Sequence, residues 1–321
     1  MSTEQHLNKD QETQKPTLSV TQETYAELQD SLCTPTHPLA KRFRALFTLK
    51  SLKSNQAVDI IAQAFCDPSA LLKHELAYVL GQMKNPYAIA PLSAVLHDLT
   101  QEPMVRHEAA EALGAIADPK ALDILRPFLQ DEVVEVRETT VLAIERIEYE
   151  MKKAANHGVA EEDIGTYSSI DPAPAVKHSH LSTNELKESL LNTDNTLFER
   201  YRAMFALRNR GNTEDVLALA EGFSDSSALF RHEIAYVFGQ MQHPASIPSL
   251  IKVLSDTLEA GMVRHEAAEA LGSIAAPECL PVLRQFVNDP ERVVRESCIV
   301  GLDMFEHENS GEFQYADALV K

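Results

Sequence analysis

No apolar run in this 321-residue chain approaches the roughly 20 residues that a bilayer-spanning helix needs, so no membrane role is expected. The opening MSTEQHLNKDQETQKPT has no hydrophobic segment and is not a signal peptide. Residues 1–26 are expected to form a disordered tail. Cysteine is scarce: Cys33, Cys66, Cys279 and Cys298 show no CxxC spacing, which excludes a zinc knuckle or a disulfide framework. A reducing cytoplasm fits this usage, with the nucleus also open. Positive charge is in deficit, with 29 basic against 48 acidic residues and a formal net charge of −19. Nucleic acid is thereby disfavoured as a partner, whereas a basic protein or cationic substrate is favoured. Glycine numbers only 11, and neither a Gly-rich phosphate loop nor a G-x-S-x-G elbow occurs.

What the chain does contain is a copy of itself. His74 and His232 are 158 residues apart, and so are His107 and His265. The same shift carries RFRALFTL at 42–49 onto RYRAMFAL at 200–207, and VRETTVLAI at 136–144 onto VRESCIVGL at 294–302. No gap is needed. Inside each copy, stretches beginning at Arg42, His74, His107 and Arg137 recur at spacings of 32, 33 and 30 residues. Such a unit holds two helices and two turns, and DPSA, KNPY and ADPK supply Pro- and Asp-containing turns. Leu72, Leu76, Val79, Leu80 and Met83 repeat at helical spacing, and no strand-like alternation competes. The expected fold is all-α: an α-solenoid of HEAT-type hairpins, in two duplicated four-repeat lobes facing each other across a di-metal site. Lobe one is placed at 27–150 and lobe two at 185–308. A partly mobile connection is expected over 151–184, and a second tail over 309–321.

Duplication preserves packing residues without any further cause, but it does not explain preserved polar ones. Among twelve histidines, only His74, His107, His232 and His265 meet a histidine in the other copy. Each is followed by a glutamate: Glu75, Glu108, Glu233 and Glu266. If each His lies on the inner helix of its hairpin, neighbouring repeats point two imidazoles into one space. The adjacent Glu, about 100° round the helix, approaches from another side. Two imidazoles and a carboxylate form the facial set of non-haem iron(II) sites, although manganese accepts the same donors. This geometry does not choose between Glu75 and Glu108 as the ligand. The His-Glu-x-x-His of zincins and the Glu-x-x-His of di-iron bundles are both missing.

With its HELAYVLGQM at 74–83 and VRHEAAEALG at 105–114, each matched in the second half, the chain resembles the deoxyhypusine hydroxylases. These are di-iron monooxygenases of eukaryotes, and the resemblance spans the whole folded chain. It implies two Fe2+ ions per chain, O2 as co-substrate and an oxidoreductase of hypusine biosynthesis. The implied protein substrate is the deoxyhypusine form of eukaryotic translation initiation factor five-A, acted on by a monomer. It further implies His74, His107 and Glu108 as ligands of one iron, and His232, His265 and Glu266 as ligands of the other. Glu75 and Glu233 are then left to bind the substrate amines. Gly81 and Gly239, seven residues after His74 and His232, either leave room for the substrate arm or let helices pack closely. Tyr78, Tyr236, Glu111 and Glu269 lie four residues after a histidine, where they serve the ligands or the packing. The competing readings are a non-catalytic HEAT-repeat scaffold and a metal-free lyase acting on a bilin.

Overall fold

The helical periodicity becomes sixteen α-helices in the computed structural model, which describes residues 20–156, 167–177 and 181–311. The first half holds α1 (Gln22–Cys33), α2 (Leu39–Leu52), α3 (Asn55–Gln63), α4 (Ala70–Gln82), α5 (Ile89–His97), α6 (Pro103–Ile116), α7 (Ala121–Leu125) and α8 (Val134–Ala155). The second holds α9 (Thr183–Leu191), α10 (Leu197–Arg210), α11 (Thr213–Ala220), α12 (Ala228–Met241), α13 (Ile247–Ser255), α14 (Gly261–Ile274), α15 (Cys279–Phe286) and α16 (Arg292–Ser310). They pair into four hairpins per half, and the even-numbered helices stand side by side as the inner layer. This is an α-solenoid of HEAT type.

Local chemistry fixes where the inner helices start. Ser69 Oγ accepts the Leu72 N–H at 3.1 Å to open α4, and Ser227 Oγ accepts the Phe230 N–H at 3.0 Å to open α12. Each satisfies a donor that the first helical turn leaves without a partner. Four buried arginines brace alternate hairpins in one recurring way. The Nε of Arg42, Arg106, Arg200 and Arg264 donates to the carbonyl of Leu32, Leu96, Leu190 and Leu254, ten residues earlier. Each guanidinium also grips an aspartate 25 residues later: Asp67, Asp131, Asp225 or Asp289. Each aspartate then accepts the N–H of the residue two further on, so the turn into the next inner helix is pinned.

Breaking one such brace leaves a carboxylate buried without its counter-charge, which costs about 3–5 kcal/mol. Arg106→Met is therefore expected to lower the melting temperature by on the order of 10 °C, a shift that a calorimetric scan resolves. Burial opposes the charge on Asp131 and Asp289, but their arginines and the turn N–H groups outweigh it and hold both pKa values below normal. A depressed carboxyl stabilises the fold fully above its unfolded pKa of about 3.9 and loses that contribution as pH falls through the folded value. Wild-type stability should thus fall steeply on the acid side of pH 4, and less steeply in Arg106→Met.

The two halves close on each other at both ends. α16 packs on α2 and α4, and α8 packs on α10 and α12. The capping serines take part: Ser69 Oγ donates to Glu296 at 2.6 Å, and Ser227 Oγ donates to Glu138 at 2.6 Å. Arg44 adds a two-pronged bond to Asp303. The inner helices of both halves therefore surround one central space.

The expected boundaries need adjustment. α1 starts at Gln22, not at 27, because Thr21 Oγ1 accepts the Thr24 N–H and caps it there. The expected connection over 151–184 begins with the last turn of α8 and ends with the first turn of α9. Its middle is packed rather than loose: Ala173 is fully buried and Ala175 is 4% exposed. The small apolar residues of DPAPA bury themselves there, and composition alone read them as linker. The tail expectations for 1–19 and 312–321 lie outside the described residues.

Candidate metal centre

α4 has no solvent face, since every residue from Leu71 to Ala77 is buried. Its histidine and glutamate consequently point among neighbouring helices. α6, α12 and α14 repeat this arrangement, so His74, His107, His232 and His265 converge from four helices, two in each half. Ring centroids lie 5.5 Å apart for His74–His107, 5.4 Å for His232–His265, and 5.3 Å for His74–His265 across the halves. His74 Nε2 lies 3.3 Å from Glu108 Oε2, and His232 Nε2 lies 3.4 Å from Glu266 Oε2. Donor atoms within 4.8 Å of one another form three groups: His74, His107 and His232; His232, His265 and Glu266; and His107, Glu108 and Glu111. The first group draws on both halves.

The Nε2 atoms of all four histidines are buried without a hydrogen-bond partner, as is Oε1 of Glu233. A buried polar atom left in this state costs about 1–3 kcal/mol, so four converging imidazoles of this kind call for a cation. Hydroxyls approach two rings from behind. Thr139 Oγ1 and Ser297 Oγ lie 3.5 Å from Nδ1 of His107 and His265, leaving each Nε2 turned inward. Nitrogen and carboxylate oxygen, with no thiolate nearby, suit a first-row ion such as iron(II).

Charge is crowded in this space. Burial works against a proton on His74, but Glu108, then Glu75 and Glu266, outweigh it and hold its pKa at about 9. Burial, together with the charge on His74, then pushes His232 down to about 3 and His107 and His265 well below normal. Burial, then Glu269, raises Glu75 to about 8, and burial, then Asp171 and Glu108, raises Glu233 well above the carboxylate range.

A cavity of about 490 Å³ opens from the cluster, lined among others by Glu75, Glu233, Glu111, Glu269, Tyr78 and Tyr236. The two tyrosine hydroxyls meet at 2.9 Å, joining α4 to α12 above the histidines. All eight His-Glu residues are thus together. The two glycines divide. A Cβ on Gly81 would stand 2.7 Å from Ala112 Cα, so its lack of a side chain lets α4 meet α6 and leaves no room for a substrate. Gly239 lines the cavity, although a Cβ there would also approach Ala270 Cα at 3.2 Å. Sequence reasoning missed the cavity wall formed by Tyr167, Ser168 and Ser169. It also missed Thr139 and Ser297, although both copies keep a hydroxyl at that position.

Residues 99–156 and 213–303 match the HEAT repeats. The chain is 55% identical over 300 residues to deoxyhypusine hydroxylase of Bos taurus, covering 94% of this chain and 97% of that one. It is 54% identical over 303 residues to the deoxyhypusine hydroxylase of Candida albicans, covering 90% and 95%. A solved structure, human deoxyhypusine hydroxylase in complex with glycerol, superposes with a TM-score of 0.84 at 54% identity, covering 89% of this chain and 96% of that chain.

Proposed function

The chain belongs to the deoxyhypusine hydroxylase family, and we propose that its four His-Glu pairs hold two iron(II) ions for the O2-dependent reaction. The enzyme hydroxylates deoxyhypusine, a modified residue carried on a protein. In this reading the protein is eukaryotic initiation factor five-A and the product is hypusine. His74, His107 and Glu108 hold one ion, and His232, His265 and Glu266 the other. The observation that carries the reading is the set of four buried Nε2 atoms without a hydrogen-bond partner. A scaffold that used these pairs to bind a partner would leave them accessible, yet His74 and His232 are each 5% exposed and His107 is fully buried.

When bound, the irons supply the oxidation of an aliphatic carbon that side chains cannot perform. The chain's own part is to place that carbon. The substrate arm carries cationic amines, and Glu75 and Glu233 offer carboxylates to them by charge-assisted hydrogen bonds. Both are buried beside the histidines, so a cation restores the charge form that burial disfavours. The net charge of −19 draws a lysine-rich loop toward the enzyme, with on-rates falling as salt rises. The free cysteines suit a cytoplasmic enzyme, which we take to act as a monomer.

Elemental analysis with substrate kinetics tests the assignment. Wild-type protein should bind two irons. Glu75→Gln and Glu233→Gln should retain them while KM rises about 10- to 100-fold, the loss of a hydrogen bond to a charged group. Loss of iron from Glu75→Gln with KM unchanged would exchange the roles of Glu75 and Glu108.

A further inference from the structure

Duplication supplies the histidines, the glutamates and the tyrosine pair twice, but it does not supply access to them twice. The positions around the two related mouths of the cavity have diverged. Where the side formed by α10 and α8 has Arg208, Arg146 and Glu150, the side formed by α2 and α16 has Lys50, Met304 and Glu308. On the second-half side, Arg208 holds Asp171 with bonds of 2.8 and 2.6 Å, and its guanidinium lies 4.5 Å from the Tyr167 ring centroid. Gln240 donates to Ser169 Oγ at 2.9 Å. Gln82 brackets Ile170, accepting its N–H at 2.8 Å and donating to its carbonyl at 3.1 Å. Residues 167–171 are thereby strapped in place, and Tyr167, Ser168 and Ser169 form part of the cavity wall. On α8, which packs against α10 and α12, Arg146 and Glu150 are joined by an ion pair of 2.7 Å.

Among the described residues, the first-half side has no such closure. Lys50 takes the place of Arg208, with its ammonium 5.6 Å from the Phe47 ring centroid and 5.2 Å from that of Tyr78. Met304 and Glu308 take the place of the ion pair. Between α2 and α16 runs a passage of about 160 Å³, lined by Phe43, Phe47, Glu75, Glu269, Met304 and Glu308. Phe43, Phe47 and Met304 give it an apolar wall, and it ends on the buried Glu75 and the part-buried Glu269. Those are the features that a flexible aliphatic arm with a cationic amine requires: hydrocarbon contact along its length and anions to fix its register. Glu269 is already oriented, since its Oε1 accepts from Ser297 Oγ at 2.9 Å.

We propose that the 167–171 strap makes the duplicated site single-ended. The aliphatic amine arm of the substrate enters between Phe47 and Met304, and there Glu269 joins Glu75 in receiving its cation. The related mouth, under Arg208 and Arg146, is shut. This rests on the substrate reading above and adds a direction of approach and a further specificity-determining carboxylate.

The test transplants the closed arrangement to the open side. Met304→Arg recreates the Arg146–Glu150 pair with Glu308, and Met304→Trp narrows the passage without adding charge. Arg146→Met is the reverse exchange. Kinetics with the deoxyhypusine-bearing precursor protein are read beside iron content and melting temperature. Both Met304 variants and Glu269→Gln should keep wild-type iron while KM rises by about tenfold or more, and Arg146→Met should stay within about twofold of wild type. If Met304→Arg loses iron or fold, Met304→Trp decides. Wild-type KM in a metal-loaded Met304→Trp, or a KM in Arg146→Met raised as far as in Met304→Trp, overturns the proposal. Failure of the wild-type protein to bind iron would instead refute the metal assignment.

Discussion

Replacing His74 by alanine is expected to remove hydroxylation almost entirely while the helical fold survives. Loss of a residue that merely orients a metal ligand already costs about 10- to 100-fold, so loss of a ligand should exceed about 100-fold in kcat/KM. The fold survives because α4 is held by Leu71, Leu72, Leu76, Val79 and Leu80, all fully buried and none in the cluster. It is held too by its Ser69 cap. Iron should fall from two per chain to about one, and far-ultraviolet circular dichroism should be unchanged. Full iron content in His74→Ala would refute the role of that residue as a ligand.

Stripping the metal should lower the melting temperature by on the order of 10 °C. Two ions, each at about 100 times its dissociation constant, contribute roughly 5 kcal/mol together, and a chain of this size shifts by a few degrees per kcal/mol. The effect should act mainly between the halves, because donor atoms of His74, His107 and His232 group across them. Metal-free protein must keep the four Nε2 atoms and Oε1 of Glu233 buried without a hydrogen-bond partner. Scattering and thermal melts with and without iron(II) measure this. If chelation changes neither compactness nor melting temperature, the two halves do not share a metal centre.

Much of this was legible in the sequence, for physical reasons. Helical periodicity survives divergence because it encodes burial, and a gapless shift of 158 residues exposes the duplication. The four histidines stood out because packing does not demand histidine, so its retention at matched positions needed another cause. Gly81 was harder. Its spacing from His74 shows which side of α4 it occupies, but only the tertiary structure shows that Ala112 fills the space beside it. The connection misled for a related reason. Its prolines and serines suggest a loose linker, whereas Pro172, Ala173, Pro174 and Ala175 are buried and Asp171 meets Arg208. The convergence of the halves depends on contacts such as Ser69–Glu296, between residues more than two hundred positions apart, and no local pattern announces them.

The reciprocal serine–glutamate bonds at the two junctions have a consequence for symmetry. Ser69 reaches Glu296 as Ser227 reaches Glu138, each pair being the other with the two halves exchanged. That is the geometry of an isologous dimer, in which one surface patch meets its own copy. Two separate four-hairpin subunits could form the same ring and the same cluster of histidines, but every feature would then occur in identical pairs. A symmetric dimer cannot close one mouth and leave the other open. Covalent fusion removes that constraint, because the segment that joins the halves occurs once and not as a matched pair. Once the subunits share a chain, each half can accept substitutions that its twin refuses.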